Sequence, residues 1–188
     1  QHVRDLRLVL DRLRAHRLYA SPSKCEFAKP SLQFLGHIVS AAGLHTDPAK
    51  TSTVREWPVP SDAKELRSFL GLCNYYRRFV YKYADIAAPL NALLHTDAEW
   101  KWEQPQQDAF EELKRRLVSS PILAMPDFSL PFVLATDASG EAVGGVLYQV
   151  RDDAARPIAY ESRKLRGAER NYPTHDKELL AIVHCLRH

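Results

Sequence analysis

The stretch from Pro131 to Val150, PFVLATDASGEAVGGVLYQV, constrains the fold more than any other part of the chain. Phe132 to Ala135 is an apolar run that predicts a strand, and Thr136-Asp137-Ala138-Ser139-Gly140 predicts the turn that ends it. Beyond the turn, Val143, Gly145, Leu147 and Gln149 alternate with Ala142, Gly144, Val146 and Tyr148. That period of two belongs to a pleated sheet, not to a helix. Asp137 is then a carboxylate where a buried strand meets its turn, held by stiff backbone yet open to solvent. Such a carboxylate suits Mg²⁺, which is bound through one or two carboxylates and keeps several waters or phosphate oxygens. The same position also suits an Asp that only hydrogen-bonds its own turn.

The rest of the chain alternates helical and extended patterns. Val3, Leu6, Leu10 and Leu13 recur at helical spacing over residues 1–18, with arginines mostly on other faces, which predicts an amphipathic surface helix. Between Tyr19 and Leu44, Pro22, Pro30 and Gly43 punctuate short apolar runs, of which SLQFLGHIVS predicts half of a hairpin. Gly36 within it permits close approach of another backbone. Asp47-Pro48 starts a helix that ends near Trp57, before Pro58 and Pro60. Asp62, with Glu65 three residues on, starts another, carrying Leu66, Phe69, Leu70, Cys73, Tyr76 and Val80 on one face. Around its end, Tyr75, Arg77, Arg78, Tyr81 and Lys82 interleave rings and cations. That mixture can follow a sugar–phosphate backbone, although aromatic residues at helical spacing also serve as core.

Ile86 to Leu94 predicts further helix broken near Pro89, and Pro105 opens a helix that runs to Ser119 and is stopped by Pro121. The segment 62–119 is therefore expected to be wholly helical, between two β-containing ends. After the Pro131–Val150 pair of strands, Asp152-Asp153 closes a hairpin into a third strand, PIAYES, and Asn171 to Thr174 caps a final helix over 174–187. On that helix Leu179, Val183 and Leu186 form an apolar stripe joined by Leu180 and Ile182. Glu178, Ile182 and Cys185 share a face that can pack on the sheet and bring Glu178 beside Asp137.

Composition narrows the function classes. Hydrophobic residues make up 45% and charged residues 26% of 188, which is the balance of a globular chain with room for one or two small domains. A net charge of +3 is compatible with nucleic acid without being strongly basic. Three widely spaced cysteines suggest neither a disulfide framework nor a zinc site, and a reducing intracellular setting follows as the expectation. No stretch reads as membrane-spanning, so no membrane partner is expected.

TDAS at a strand end, GEAVGGVLYQ, PIAYESRKL and NYPTHDKELLAIVHCL together resemble the ribonuclease H domain of gypsy-type long-terminal-repeat retrotransposons. Upstream, KCEFAKPSLQFLGHIVSAAGLHTDPAK and ELRSFLGLCNYYRRFV resemble the segment after the polymerase active site of the same Pol polyproteins. The resemblance implies an α+β architecture: a β-hairpin and a helical thumb and connection, followed by a partial ribonuclease H-like mixed sheet with a packed helix. It implies the end of a polymerase palm over 1–46, a thumb and connection over 47–120, and the first part of a ribonuclease H domain over 121–188. Phe34, Leu35, Gly36 and His37 match the hairpin that supports a primer terminus. Arg77, Arg78 and Lys82 fall in the thumb that grips a template–primer duplex.

Asp137 matches the first metal-binding Asp of that nuclease and Glu178 its catalytic Glu, which makes both candidate catalytic and metal-binding residues. The implied cofactor is Mg²⁺, two ions in a complete site, because a pair of ions neutralises both the attacking and the leaving oxygen in phosphodiester hydrolysis. The implied partners are RNA–DNA hybrid, template–primer duplex and the remainder of the Pol polyprotein. The family's further Asp ligands, and the paired Asp motif of its polymerase, have no counterpart between Gln1 and His188. The expectation is thus an enzyme segment with both active sites incomplete and little activity alone; the alternative is a non-catalytic nucleic-acid-binding remnant.

Overall fold

The computed structural model describes all residues from Gln1 to His188. Two compact units are present, Gln1–Leu32 and Gln33–His188. The first unit holds helix α1 (His2–Ala15), none of whose residues is buried, and a single 3₁₀ turn at Pro22–Lys24.

Strand β1 (Ser31–Phe34) crosses the boundary at Gln33 and begins a small antiparallel meander completed in the second unit by β2 (His37–Ser40) and β3 (Gly43–Thr46). Leu35 and Gly36, between β1 and β2, both have positive φ, 46° and 71°. A two-residue loop of that kind matches the twist of the strands it joins. Gly36 is therefore needed for the turn, and its nearest neighbours are the Tyr75 and Tyr76 rings at contact distance, not another backbone. Next, α2 (Pro48–Arg55) begins at Asp47, whose carboxylate accepts from Ala49 N at 2.9 Å and from Gln33 Nε2 at 2.6 Å. This cap satisfies a backbone donor that the helix itself leaves unpaired.

The helical stretch is α3 (Ala63–Tyr75), a 3₁₀ turn at Arg77–Phe79, α4 (Tyr83–Ile86), α5 (Ala88–Ala92) and α6 (Gln104–Val118). No strand interrupts it. The helix expected to reach Val80 stops at Tyr75, because the chain tightens into the 3₁₀ turn and then passes through Lys82 at φ 56°. A left-handed residue ends any right-handed run. Leu66, Phe69, Leu70, Cys73 and Tyr76 are nonetheless buried as the spacing predicted. They join Val54, Phe79, Val80, Leu90, Phe110, Leu113 and Leu117 in one core, with the Phe69 and Phe110 rings 4.6 Å apart.

The second sheet has strand order β4 (Val133–Ala138), β5 (Ala142–Arg151) and β6 (Ala154–Lys164), antiparallel at both pairings. Asp152 and Asp153 form the β5–β6 turn, both at positive φ. Helix α7 (Thr174–Arg187) packs across β4 and β5, with Pro173 at its N-cap position. Ala181 and His184 are its buried residues. The apolar stripe of Leu179, Ile182, Val183 and Leu186 faces outward instead, at 38–72% exposure. The helix can lie close to the sheet only on a small-residue face, and it meets the sheet at Gly145: a Cβ there would lie 3.0 Å from Cys185 Sγ. Small Ala181 and Gly145 thus decide which side of α7 turns inward.

Candidate nucleic-acid interface and carboxylate site

The hairpin tip is fastened to the end of α3. Tyr75 donates to the Leu35 carbonyl, and Tyr76 Oη donates to the Gly36 carbonyl at 2.6 Å. Burial, with Asp47 and Tyr75 nearby, pushes the Tyr76 phenol up to about 12, so it remains a donor at neutral pH. His37 is turned inward, stacked on Tyr75 at 5.2 Å and on Phe79 at 5.6 Å, with Tyr76 edge-on. Burial and Arg78 lower its pKa, which keeps the ring neutral. Phe34 and Leu35, by contrast, project into solvent at 58% and 72% exposure. Of the four hairpin residues, only Phe34 and Leu35 present side chains outward. The two tyrosines that hold them were legible in the sequence only as ring-bearing helix residues.

The three cations are not equivalent. Arg78 makes no ion pair. Arg77 reaches Glu161 at 3.9 Å and is still about half exposed. Lys82 is ion-paired with Asp137, lies 5.5 Å from the Tyr81 ring centre, and has its pKa raised by the bond to that carboxylate. Arg77 and Arg78 border a groove of about 640 Å³ whose other walls include Leu134, Leu147, Glu161 and Cys185.

Strand register fixes where Asp137 points. Directly opposed residues of antiparallel strands share a face, so Asp137, Gly144 and Ser162 project one way and Thr136, Gly145 and Glu161 the other. Ser162 Oγ accepts from Ala84 N at 3.0 Å, and Ser139 Oγ donates to Asp85 Oδ1 at 2.6 Å, so the first face meets residues 82–85. The second face carries α7: Glu161 Oε1 lies 3.2 Å from His184 Nε2, and Cys185 sits over Gly145. Burial lowers the His184 pKa and raises that of Cys185, so both are neutral at pH 7.

This differs from the expected arrangement. β4 runs through Ala138, so Asp137 lies within the strand and not in the turn, and the pleat aims it away from α7. Glu178 is half-buried near the start of α7, and no hydrogen bond or ion pair joins it to Asp137. No three His, Cys, Asp or Glu side chains come close enough to hold a metal ion. The oxygen donors that two Mg²⁺ ions require are therefore not assembled by the residues present, and the one matched Asp is neutralised by an ammonium.

Comparison with known proteins agrees with the fold and with the motifs. Residues 102–188 match the RNase H-like domain found in reverse transcriptase. Across its whole length the chain is 41% identical to the Tf2-3 and Tf2-4 transposon polyproteins of Schizosaccharomyces pombe, and spans 14% of each. Among solved structures, the foamy viral protease-reverse transcriptase in complex with RNA/DNA hybrid matches 98% of the chain and 25% of its own, at TM-score 0.79 and 26% identity. The dRH form of that enzyme with double-stranded DNA matches 98% of the chain and 33% of its own, at TM-score 0.78 and 25% identity. The α+β fold, the motif order and the sequence likeness converge: the chain is similar along its whole length to a stretch of the Tf2 transposon polyproteins, and its residues 102–188 match the RNase H-like domain found in reverse transcriptase.

Proposed function

We propose that this chain is the portion of a retrotransposon reverse transcriptase that grips a template–primer duplex and leads into its ribonuclease H domain. In the whole polyprotein the reactions are RNA-directed DNA synthesis and hydrolysis of RNA in RNA–DNA hybrids. The observation that carries the reading is the junction of the first hairpin and α3. Two tyrosine hydroxyls hold the Leu35 and Gly36 carbonyls of the hairpin tip, from which Phe34 and Leu35 project into solvent, and Arg77 and Arg78 follow the tyrosines in sequence. Rings and aliphatic groups beside guanidinium groups suit sugars and phosphates, and they fix position on a duplex without reading sequence. The foamy viral relatives, whose structures contain double-stranded DNA and RNA/DNA hybrid, support the choice of ligand.

Asp137 and Glu178 remain the proposed metal-binding and catalytic carboxylates on the strength of the motif. Since the residues present do not build a two-ion site, no hydrolytic step is derived through Mg²⁺, and the chain alone is expected to cleave hybrid poorly. The binding half is tested by titrating an RNA–DNA hybrid with the chain at several salt concentrations. Replacing Arg77 and Arg78 with Ala should flatten the slope of log affinity against log salt by about 0.9 for each phosphate that is no longer neutralised. An unchanged slope would return both arginines to a solvated surface. Lys82→Ala should change the slope least, because its ammonium is already engaged by Asp137.

A further inference from the structure

Glu161 has two engagements that the motifs do not account for. Its Oε1 lies 3.2 Å from Nε2 of the buried His184 on α7, and its Oε2 lies 3.9 Å from the Arg77 guanidinium. A carboxylate only accepts, so the neutral His184 ring donates its Nε2–H and fixes one oxygen, leaving the other for the arginine. The next residue, Ser162, points to the opposite face of the strand and accepts from Ala84 N at 3.0 Å. Residues 77–84 therefore pass around β6, an outer strand of its sheet, and touch it on both faces. That path sets Arg77 against Glu161, and both line the groove of about 640 Å³ that Arg78 also borders. Arg78 makes no ion pair.

A guanidinium that shares its charge with a neighbouring carboxylate gains less from a phosphate than a free one does. We propose that Glu161 restrains Arg77 against the duplex, competing with the phosphate backbone for its guanidinium, so that the two adjacent arginines grip with unequal strength. The inference rests on the reading of Arg77 as a phosphate contact and goes further by naming the residue that sets the strength of that contact. It also gives the pairing a use. When a duplex advances, Glu161 takes the guanidinium between one phosphate and the next, so releasing a phosphate does not leave the arginine without an acceptor.

The test measures the affinity of the 188-residue chain for a short RNA–DNA hybrid of mixed sequence over a range of salt, as a double-mutant cycle between Glu161 and Arg77. Glu161→Gln removes the charge and keeps an acceptor for His184; Glu161→Ala serves as a second variant. Each should tighten binding by up to about fivefold, the worth of an exposed ion pair at its upper end, and steepen the salt slope by up to about 0.9. With Arg77→Ala in place the same variants should lose that gain. Arg78→Ala should cost the same with and without Glu161→Gln. A gain that persists without Arg77, or that extends equally to Arg78, would mean that Glu161 acts only as a diffuse negative charge, and would overturn the restraint. No gain in a chain where Arg77→Ala still weakens binding would also overturn it and leave the duplex reading intact. If Arg77→Ala changes neither affinity nor slope in any background, the reading of Arg77 as a phosphate contact falls and the inference with it.

Discussion

Adding one methyl group at two different glycines should move stability in opposite directions. At Gly145, in β5, a Cβ would lie 2.7 Å from the Ala135 carbonyl oxygen, 3.0 Å from Cys185 Sγ and 3.2 Å from Thr136 Cγ2. The first neighbour is backbone of the paired strand and cannot yield without parting β4 from β5. The second belongs to α7, so the helix must also rise. Overpacking of this kind costs about 1–3 kcal/mol. Gly71 lies on the exposed side of α3, with nothing within 4 Å of a Cβ. Alanine there is the better helix former by about 0.8–1 kcal/mol.

In a chain of this size 1 kcal/mol moves the melting temperature by roughly 2–4 °C. Gly145→Ala should therefore lower Tm by roughly 2–12 °C, and Gly71→Ala should raise it by roughly 2–4 °C. The two sites belong to different packing clusters, so the double variant should fall near the sum, within about 0.5 kcal/mol. Thermal unfolding followed by far-ultraviolet circular dichroism measures all three. A Gly145→Ala chain melting at or above the unaltered one would mean that α7 is not seated on this glycine, and the account of which helix face is buried would fall with it.

Other consequences are as direct. Tyr76→Phe removes the hydroxyl that holds the Gly36 carbonyl and should cost about 1 kcal/mol, with faster amide exchange in β2 as the specific sign. Glu169 is held down to about 2 by Arg163 and the Arg166 amide. A carboxylate lowered by folding contributes stability above its unfolded value, lost as pH falls towards 2, so the Glu169→Gln chain should show a shallower acid transition in denaturant melts between pH 5 and about 2. The His184 pKa is lowered by burial, so protonating it opposes folding. Stability should fall as pH drops below about 6.5, and His184→Gln should lose that step, although Glu161 at 3.2 Å tempers it. Phe69→Ala should cost about 3–5 kcal/mol, because its ring is fully buried against Phe110.

Much of this architecture was legible in the residues, because the signals concerned are local. The spacing of Leu66, Phe69, Leu70 and Cys73 can be satisfied only by a helix with one buried face, and those residues are the core. The alternation from Ala142 to Gln149 can be satisfied only by a strand, and Asp152-Asp153 marked the hairpin that follows it. Asp47 before Pro48 marked a helix start because a side-chain acceptor and a ring without N–H suit the first turn wherever it occurs. The family resemblance was legible for the same reason: its motifs are runs of neighbouring residues. What tertiary structure alone decided is which surface meets which. That β4 runs through Ala138, three residues past the expected end at Ala135, cannot be read from VLATDAS, yet it places Asp137 within the pleat, which fixes the face from which it projects. The apolar stripe of α7 was sound as periodicity and still faced outward, since Gly145 and Ala181 offered the closer approach. Nothing near Lys82 in sequence announces Asp137 as its partner. That ion pair joins segments far apart in the chain, and it exists only because the helical connection folds back across the sheet and brings its ammonium to the carboxylate.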